Sequence, residues 1–596
     1  MSARRTPRLA AAVLLLSLGL CGCNDDPNAW RRRLRPLPPE PKPPAAAKDD
    51  PVLAGTIGKR ALLGSAEPLV LRGYGLVVGL GENGGSDCPT AIREYLLEYL
   101  QKEFASRERQ DPLAGISPGK LIDSLDTAVV VVYGSVPAGA PRGTLFDARV
   151  EALGNQTRSL EGGVLLPTEL KLFEADASGR GLVAGRTLAR ARGVVFTNPF
   201  RNPDQPAATR NVRVGLLLGG ARTLEERTLR LMLVEPSYSL ARQMERRINE
   251  RFGQDPPAAE AMSQGYLTLH TPPAYAARPA RFVELVTHLY EESTPTYYER
   301  KLRDLAEQIG KPGASYAHMS LAWEGMGRVA IPSLQPLYQH DDPGVSFHAA
   351  RAGLRLADIT ALPVMANIAA SASHPFRLLA VRELGQCGLP QAAARLAPLL
   401  DSSDQEIRIA AYEEMLNYAH PRIRSRRFVH RLDPTQTNFM LDVVSSTGRP
   451  LIYIRRTREP RIAVFGERVP VSRPMFYSRP DERAYINAPA RTDSLTVFGV
   501  TQPGRRVSDK LTVNPTVDEL IAALAAPPLP VGEGRLSGIG LDYAMVIEVL
   551  DTLCRETTVP ARLVMEQPTL TEVLGPAPER PEADEPTAPT SRPAGP

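Results

Sequence analysis

Four short segments between Tyr297 and Asn417 constrain this chain more than anything else in it. LAWEGM, AARAGL, LAVREL and AAYEEM place Ala322, Ala350, Ala380 and Ala411 at successive intervals of 28, 30 and 31 residues. Each alanine is followed four positions later by a bulky apolar residue, Met326, Leu354, Leu384 and Met415. On a helix, residues i and i+4 share one face. The small residue lets a second helix come close, and the large one fills the groove beside it. One such unit cannot cover its own apolar face, but about three stacked units can. The spacing therefore predicts a stacked array of helices.

The array is expected over 297–425 as a separable solenoid. It resembles short HEAT-like repeats, with a period below the ~40–47 residues of standard units. Strands are predicted on both sides of it. Before it, Val70–Val78, Ala128–Tyr133 and Arg149–Leu153 are apolar or alternating, and Thr228–Val234 puts Leu229, Leu231 and Leu233 on one face. Two helices interrupt these strands. One carries the stripe Ile92, Leu96, Leu100 and Phe104; the other carries Leu240, Met244, Ile248 and Phe252, starting after Ser239 and stopping at Gly253. After the array come strands at Phe439–Val443, Leu451–Ile454 and Arg461–Phe465, helices at Thr516–Ala525 and Tyr543–Arg555, and a last strand at Ala561–Val564. The expected fold class is α+β, strand-rich at 55–296 and 426–575 and all-α between.

The N-terminus reads as an export signal, with Arg4, Arg5 and Arg8 ahead of the apolar run Leu9–Leu20. That run is too short to span a bilayer as a mature helix. It ends in Leu20-Cys21-Gly22-Cys23, which resembles a bacterial lipoprotein signal over 1–22. Small Gly22 before Cys23 makes Cys23 the candidate lipidation site; the alternative is an ordinary secretion signal with incidental cysteines. Residues 23–54 read as a tether, because Asp25–Pro51 holds eight prolines and little apolar surface. The tail 576–596 is expected to be disordered on the same grounds. Only Cys88, Cys387 and Cys554 remain in the folded part, so at most one disulfide can form.

A chain of 596 residues is too long for one core. Its net charge of +5 is too small to imply nucleic acid. The densest basic cluster, Arg422, Arg424, Arg426, Arg427 and Arg431, reads as a solvated linker. Gly79-Leu80-Gly81-Glu82-Asn83-Gly84 spells G-x-G-x-x-G, but a phosphate cradle must join a strand directly to a helix. Here Gly85–Cys88 intervene before Pro89 opens the next helix, so a glycine-rich turn is the expectation and no cofactor is implied. The eight histidines form no compact ligand pattern. In His340-Asp341-Asp342, Asp342 before Pro343 reads as a helix cap rather than a metal ligand. No nucleophile elbow or Cys/His pair stands in a catalytic setting. A cell-wall-acting enzyme therefore has no positive signal, and no catalytic or metal-binding residue is assigned.

LRGYGLVVGLGENGGSD at Leu71–Asp87 closely resembles the N-terminal signature of the flagellar basal-body P-ring proteins. Further blocks follow in order: Thr127–Lys171, with its S-L-x-G-G turn at Ser159–Gly163, and LRLMLVEPSYSLARQMERRINERFG at Leu229–Gly253. The likeness covers most of Gly55–Ile309 and, more weakly, Asn438–Met565. It implies a periplasmic structural protein that assembles with copies of itself around the flagellar rod, beside neighbouring ring proteins. Peptidoglycan is a further candidate partner, and the membrane would be reached through the lipid. An envelope adaptor binding a protein through its solenoid is the rival from another class. Members of that family usually lack a lipid anchor and helical repeats. The family also implies a C-terminal disulfide; Cys554 lies near one expected position, whereas Pro474–Asp481, around the other, has no cysteine.

Overall fold

The computed structural model describes residues 50–105, 117–175, 182–200, 211–501, 506–531 and 535–567. The chain divides at Pro51, and every β-strand and α-helix among the described residues lies in the unit from Val52 onward. The export signal, Cys23, most of the tether and the tail from residue 568 lie outside the described residues.

The N-terminal part holds two β layers. β1 (Ala61–Gly64) is followed by six strands, β2 (Leu69–Val78), β3 (Thr127–Val136), β4 (Leu145–Ala152), β5 (Val164–Ala175), β6 (Leu182–Val194) and β7 (Val214–Thr223). Those six close into a barrel in the order β2-β3-β4-β7-β6-β5. A barrel this small must be filled by its own side chains. Alternate residues do so: Val130 and Val132, Ala148 and Val150, Ala189 and Ala191, all buried in one cluster. The predicted stripe on the helix Thr90–Ala105 covers the outside of the barrel, with Leu96 and Leu100 buried against Leu76, Val129 and Leu166.

β8 (Leu229–Leu233), β9 (Ala259–Ala261) and β10 (Tyr266–Leu269) join β1 in a second sheet, ordered β1-β8-β10-β9. Its inner face, with Leu229, Leu231 and Leu233, packs on the helices Tyr238–Phe252 and Pro279–His288. The first of these helices begins two residues earlier than the sequence implied. Ser237, not Ser239, is the cap, accepting the Leu240 N–H at 3.4 Å. Gly253 ends the helix at φ +126°, as expected.

Each of the four repeated alanines sits on its own helix, Tyr316–Met326, Pro343–Arg355, Arg377–Gln386 and Gln405–Met415, and successive members pack together. All four alanines are fully buried. All of these helices are short, 10 to 13 residues, and helices between them such as Ile331–Leu334 and Gln391–Leu396 are shorter still. That brevity is why the period falls near thirty residues.

The array does not close its own core. β11 (Ile423–Val429), β12 (Thr437–Val444), β13 (Leu451–Arg455) and β14 (Arg461–Phe465) form a mixed sheet with the strand Arg562–Met565 at its far edge, in the order β11-β12-β14-β13-edge. Alternation splits the sheet between two cores. Leu451, Tyr453, Ala463 and Phe465 belong to the core of the helical array. Ile452, Ile454, Ile462 and Val464 face the helices Val517–Ala525 and Tyr543–Arg555. The solenoid is thus one layer of a larger sandwich rather than the separable body the sequence implied. A buried polar knot fastens the layers. Fully buried Asp442 on β12 accepts from Tyr412 of the last repeat helix, from Ser425 of β11, and from Arg461 at 2.7 Å. Burial and the neighbouring carboxylate push the Tyr412 phenol well above its ordinary value. β15 (Met475–Ser478), β16 (Tyr485–Ala488) and β17 (Leu495–Phe498) make a further four-stranded sheet with the strand Leu511–Val513.

The arginine cluster is not a solvated linker. Arg422, Arg424, Arg426 and Arg427 lie on or beside the edge strand β11, which also crosses the expected domain boundary at residue 425. Arg422 donates to both Asp401 oxygens at 2.9 Å, and Arg426 lies 4.8 Å from the Phe428 ring centre. Long arginine stems cover apolar surface while their heads stay wet, so a strand can read as polar.

Candidate functional site

The glycine-rich turn caps one end of the barrel. β2 ends at Val78, and Gly79 and Gly81 then take φ of +83° and +66°, a conformation that favours glycine. The turn's amides point into the protein. Leu80 N–H donates to the Asp126 carbonyl at 3.0 Å, Gly81 N–H to its carboxylate at 2.6 Å, and Gly84 and Gly85 N–H to Leu125 and Thr127 at 2.9 and 2.8 Å. Asn83 N–H turns back to Leu80 at 3.2 Å. With these donors engaged and the next helix starting only at Thr90, the turn cannot cradle a phosphate. Its role is packing. The Asn83 carbonyl accepts from Arg158 at 2.7 Å, and a Cβ on Gly163 of the S-L-E-G-G turn would lie 2.5 Å from Val77.

The C-terminal region docks on this end of the barrel. A Cβ on Gly79 would meet a Leu432 methyl at 2.0 Å. Arg431 donates to the carbonyls of Gly79 and Gly162 at 3.4 and 3.3 Å. Burial, reinforced by Arg483, lowers the Arg431 pKa. A second contact lies at the paired strands β4 and β7, where Asp147 of β4 accepts from the Gly219 N–H of β7 at 2.6 Å and from the Arg458 N–H at 3.0 Å. Burial raises the Asp147 pKa against the opposing pull of those two amides. Arg458 sits at φ +59°, a strained conformation that this carboxylate helps to hold.

Between the docked parts lies a cleft of about 860 Å³. Arg190, Arg192 and Arg222 from the barrel wall face Arg458 and the segment Thr435–Asn438 across it. Arg190 and Arg222 are direct cross-strand partners, an arrangement that repels. Arg192 reaches Thr435 at 3.0 Å and Asp433 at 3.4 Å, and Arg190 lies 3.8 Å from Glu103. The guanidinium groups of Arg222 and Arg458 have no ion-pair partner among the described residues. Both carboxylates lining the cleft are engaged elsewhere. Glu459 pairs with Arg461 at 2.6 Å, and Asp542 caps the helix Tyr543–Arg555 through the Met545 N–H at 3.0 Å. None of these cleft arginines stood out in the sequence, although Arg190 and Arg192 alternate on β6 in a way that points both to one face.

Among the residues singled out earlier, Asp342 caps its helix, accepting from Gly344 and Val345 at 2.7 and 3.3 Å. Those backbone bonds hold its carboxyl below the usual range. His340 accepts from the Asp342 N–H at 3.0 Å. Among the described residues no group of three His, Cys, Asp or Glu side chains could hold a metal ion. Cys88, Cys387 and Cys554 are all free thiols, and burial pushes Cys554 up to about 11. The structure therefore brings no two of these three cysteines together.

A small closed barrel with a four-stranded sheet beside it defines a β-rich module. The segment 62–296, which spans the barrel and nearly all of that sheet, matches the family described as Flagellar P-ring protein. The Flagellar P-ring protein of Geobacter metallireducens is 33% identical over 223 residues, covering 36% of this chain and 55% of that relative. That of Geobacter sulfurreducens is 31% identical over 223 residues, 36% of this chain and 54% of the relative. That of Nitrosospira multiformis is 30% identical over 240 residues, 39% and 59%. The chain spans little more than half the length of these curated relatives.

Proposed function

We propose that the protein is a structural component of a flagellar P-ring-like collar around the rod in the bacterial envelope, acting by self-assembly. The observation that carries this reading is the match over 62–296, which takes in the whole barrel and nearly all of its neighbouring sheet. A ring needs a heterologous interface, one surface meeting a different one on the next copy with a rotation that closes. The outer face of the β1-β8-β10-β9 sheet supplies a candidate. Leu62 and Tyr266 are both cross-strand partners of Met232, and Leu62, Met232, Val234 and Met262 are 45–61% exposed. Contiguous apolar surface of this kind marks association sites.

In this reading 297–425 is a HEAT-like insertion and 426–575 the C-terminal P-ring-like part. Cys23 bears a lipid that tethers the collar on the periplasmic side. Among the described residues no helix is long and apolar enough to cross a membrane. Peptidoglycan and the neighbouring ring proteins are further partners. The test is electron microscopy of basal bodies from cells with and without the gene. Missing rod-associated rings and poor swimming in the deletion support the collar. Intact rings, normal swimming and absence of the protein from basal bodies would overturn it in favour of an envelope adaptor.

A further inference from the structure

The arginine-lined cleft holds more positive charge than its described surroundings neutralise. Two of its arginines oppose each other across β6 and β7, two lack ion-pair partners among the described residues, and both lining carboxylates serve other groups. Placing like charges directly opposite is unfavourable unless an anion lies over them. The cleft also has apolar walls, including Leu145, Val195, Phe196 and Leu218, which a bare phosphate would not need and a peptide would use.

The chain itself leads an acidic peptide to this place. After the last strand, Glu566 accepts from the Arg456 N–H at 2.7 Å and from the Thr457 hydroxyl at 2.8 Å. The chain therefore leaves the described region at Gln567, beside the same loop that presents Arg458 to the cleft. Beyond it come Glu572, Glu579, Glu582, Asp584 and Glu585 against only Arg580 and Arg592. From Gln567 to Glu579 an extended chain reaches up to roughly 40 Å. That is ample for a wall within a few residues of the exit point.

We propose that the acidic segment Glu572–Glu585 docks in the arginine-lined cleft of its own chain, its carboxylates meeting Arg190, Arg222 and Arg458. A short covalent link gives an effective concentration on the order of 1 mM. A contact with a Kd of about 100 µM would then be about 90% occupied. The proposal stands whether or not the collar reading does.

The experiment compares the full-length protein with a full-length variant carrying E579Q, E582Q, D584N and E585Q. Arginines are modified with phenylglyoxal, and rates at individual sites are read by mass spectrometry. Arg222 and Arg458 are expected to react roughly tenfold more slowly in the wild type. Exposed Arg246, on the helix Tyr238–Phe252, should react equally in both and serves as the control. Adding a synthetic peptide of residues 572–585 to the variant should restore the protection, and wild-type protection should not change on dilution. Equal rates at Arg222 and Arg458 in the two proteins would overturn the proposal. So would protection that fades on dilution, which would place another copy's tail in the cleft.

Discussion

The barrel and the helical array bury their apolar residues in opposite ways. In the array each contact joins residues about thirty positions apart, and the same alanine-to-bulky step is repeated four times. In the barrel the seam β2–β5 joins strands some ninety residues apart in sequence, and no residue pattern repeats. Local contacts form with little loop-closure cost, whereas a barrel gains its core only once its last seam closes. A fault in the array should therefore stay near its place. A fault in the seam should cost the whole barrel.

The largest effect is expected at that seam. A Cβ on Gly73 would lie 2.1 Å from the Glu169 carbonyl oxygen, which is backbone and cannot turn away. Gly73→Val should cost more than about 4 kcal/mol, through strain and loss of strand pairing. At Gly75 the nearest atoms belong to the Thr168 and Leu165 side chains, so Gly75→Ala should be milder. Hydrogen exchange of the six barrel strands checks both. Barrel strands as protected in Gly73→Val as in the wild type would break the contrast.

Next comes Ala380→Arg, which forces a charged chain into a fully buried helix contact. It should cost roughly 3–5 kcal/mol, by overpacking and desolvation. Exchange should rise in the array and the sheet packed on it, while the barrel stays protected. Equal deprotection of the barrel would show that the two regions unfold as one.

Much of this contrast was legible in the sequence, and unevenly so. The repeats announced themselves because a local period is visible without knowing which distant segment pairs with which. So did the Asp342 cap, whose signal spans three residues. Barrel closure did not, because β2–β5 pairing is a long-range fact that alternation cannot express. The shared core between array and sheet was hidden for a similar reason. LIYIR and RIAVF are apolar on both faces, so Leu451, Tyr453, Ala463 and Phe465 gave no hint that a second layer awaited them. The cleft was invisible because its arginines come from strands and loops far apart in the chain.

The junction between array and sheet offers a sharper test than either body alone. Asp442→Ala would leave Arg461 and Tyr412 facing each other without their carboxylate. Breaking a buried pair by removing one partner costs about 3–5 kcal/mol. Asp442→Asn keeps the hydrogen-bonding shape and should cost less. Thermal melts of the two variants check the order, and equal melting temperatures would show that the charge is not what fastens the layers.

Acid should separate the regions too. All eight histidines lie after residue 269, so none is in the barrel. Burial depresses His288 and His348 to about 4, with His318 and Arg351 adding to the respective shifts, and depresses His430 to about 3, aided by Arg431. A base whose folded pKa lies below its unfolded value near 6.5 favours the unfolded chain once protons become available. Its contribution is intact above about pH 6.5 and is lost as the pH falls toward 4. The cost approaches about 3 kcal/mol per histidine. Between pH 6.5 and 4.5 the array and the junctions should loosen before the barrel does. His348→Phe, placed among Tyr316, Phe347 and Phe376, should blunt the loss in the array. Barrel strands that open first in acid would contradict this order.

The smallest effect on folding is expected where the effect on assembly should be greatest. Met232 is 45% exposed on the outer sheet face, opposite Leu62 and Tyr266, and contributes nothing to the inner core built by Leu231 and Leu233. Met232→Glu should therefore change stability by no more than about 0.5 kcal/mol, as surface substitutions usually do. If that face meets the next copy in a collar, the same charge would have to be buried without a partner at every interface around the ring. The variant should then melt like the wild type yet fail to form closed particles in electron micrographs, and it should not support swimming. Normal rings from Met232→Glu would show that the sheet's open face is not the assembly surface, while leaving the barrel as the remaining candidate within the segment that matches the P-ring family.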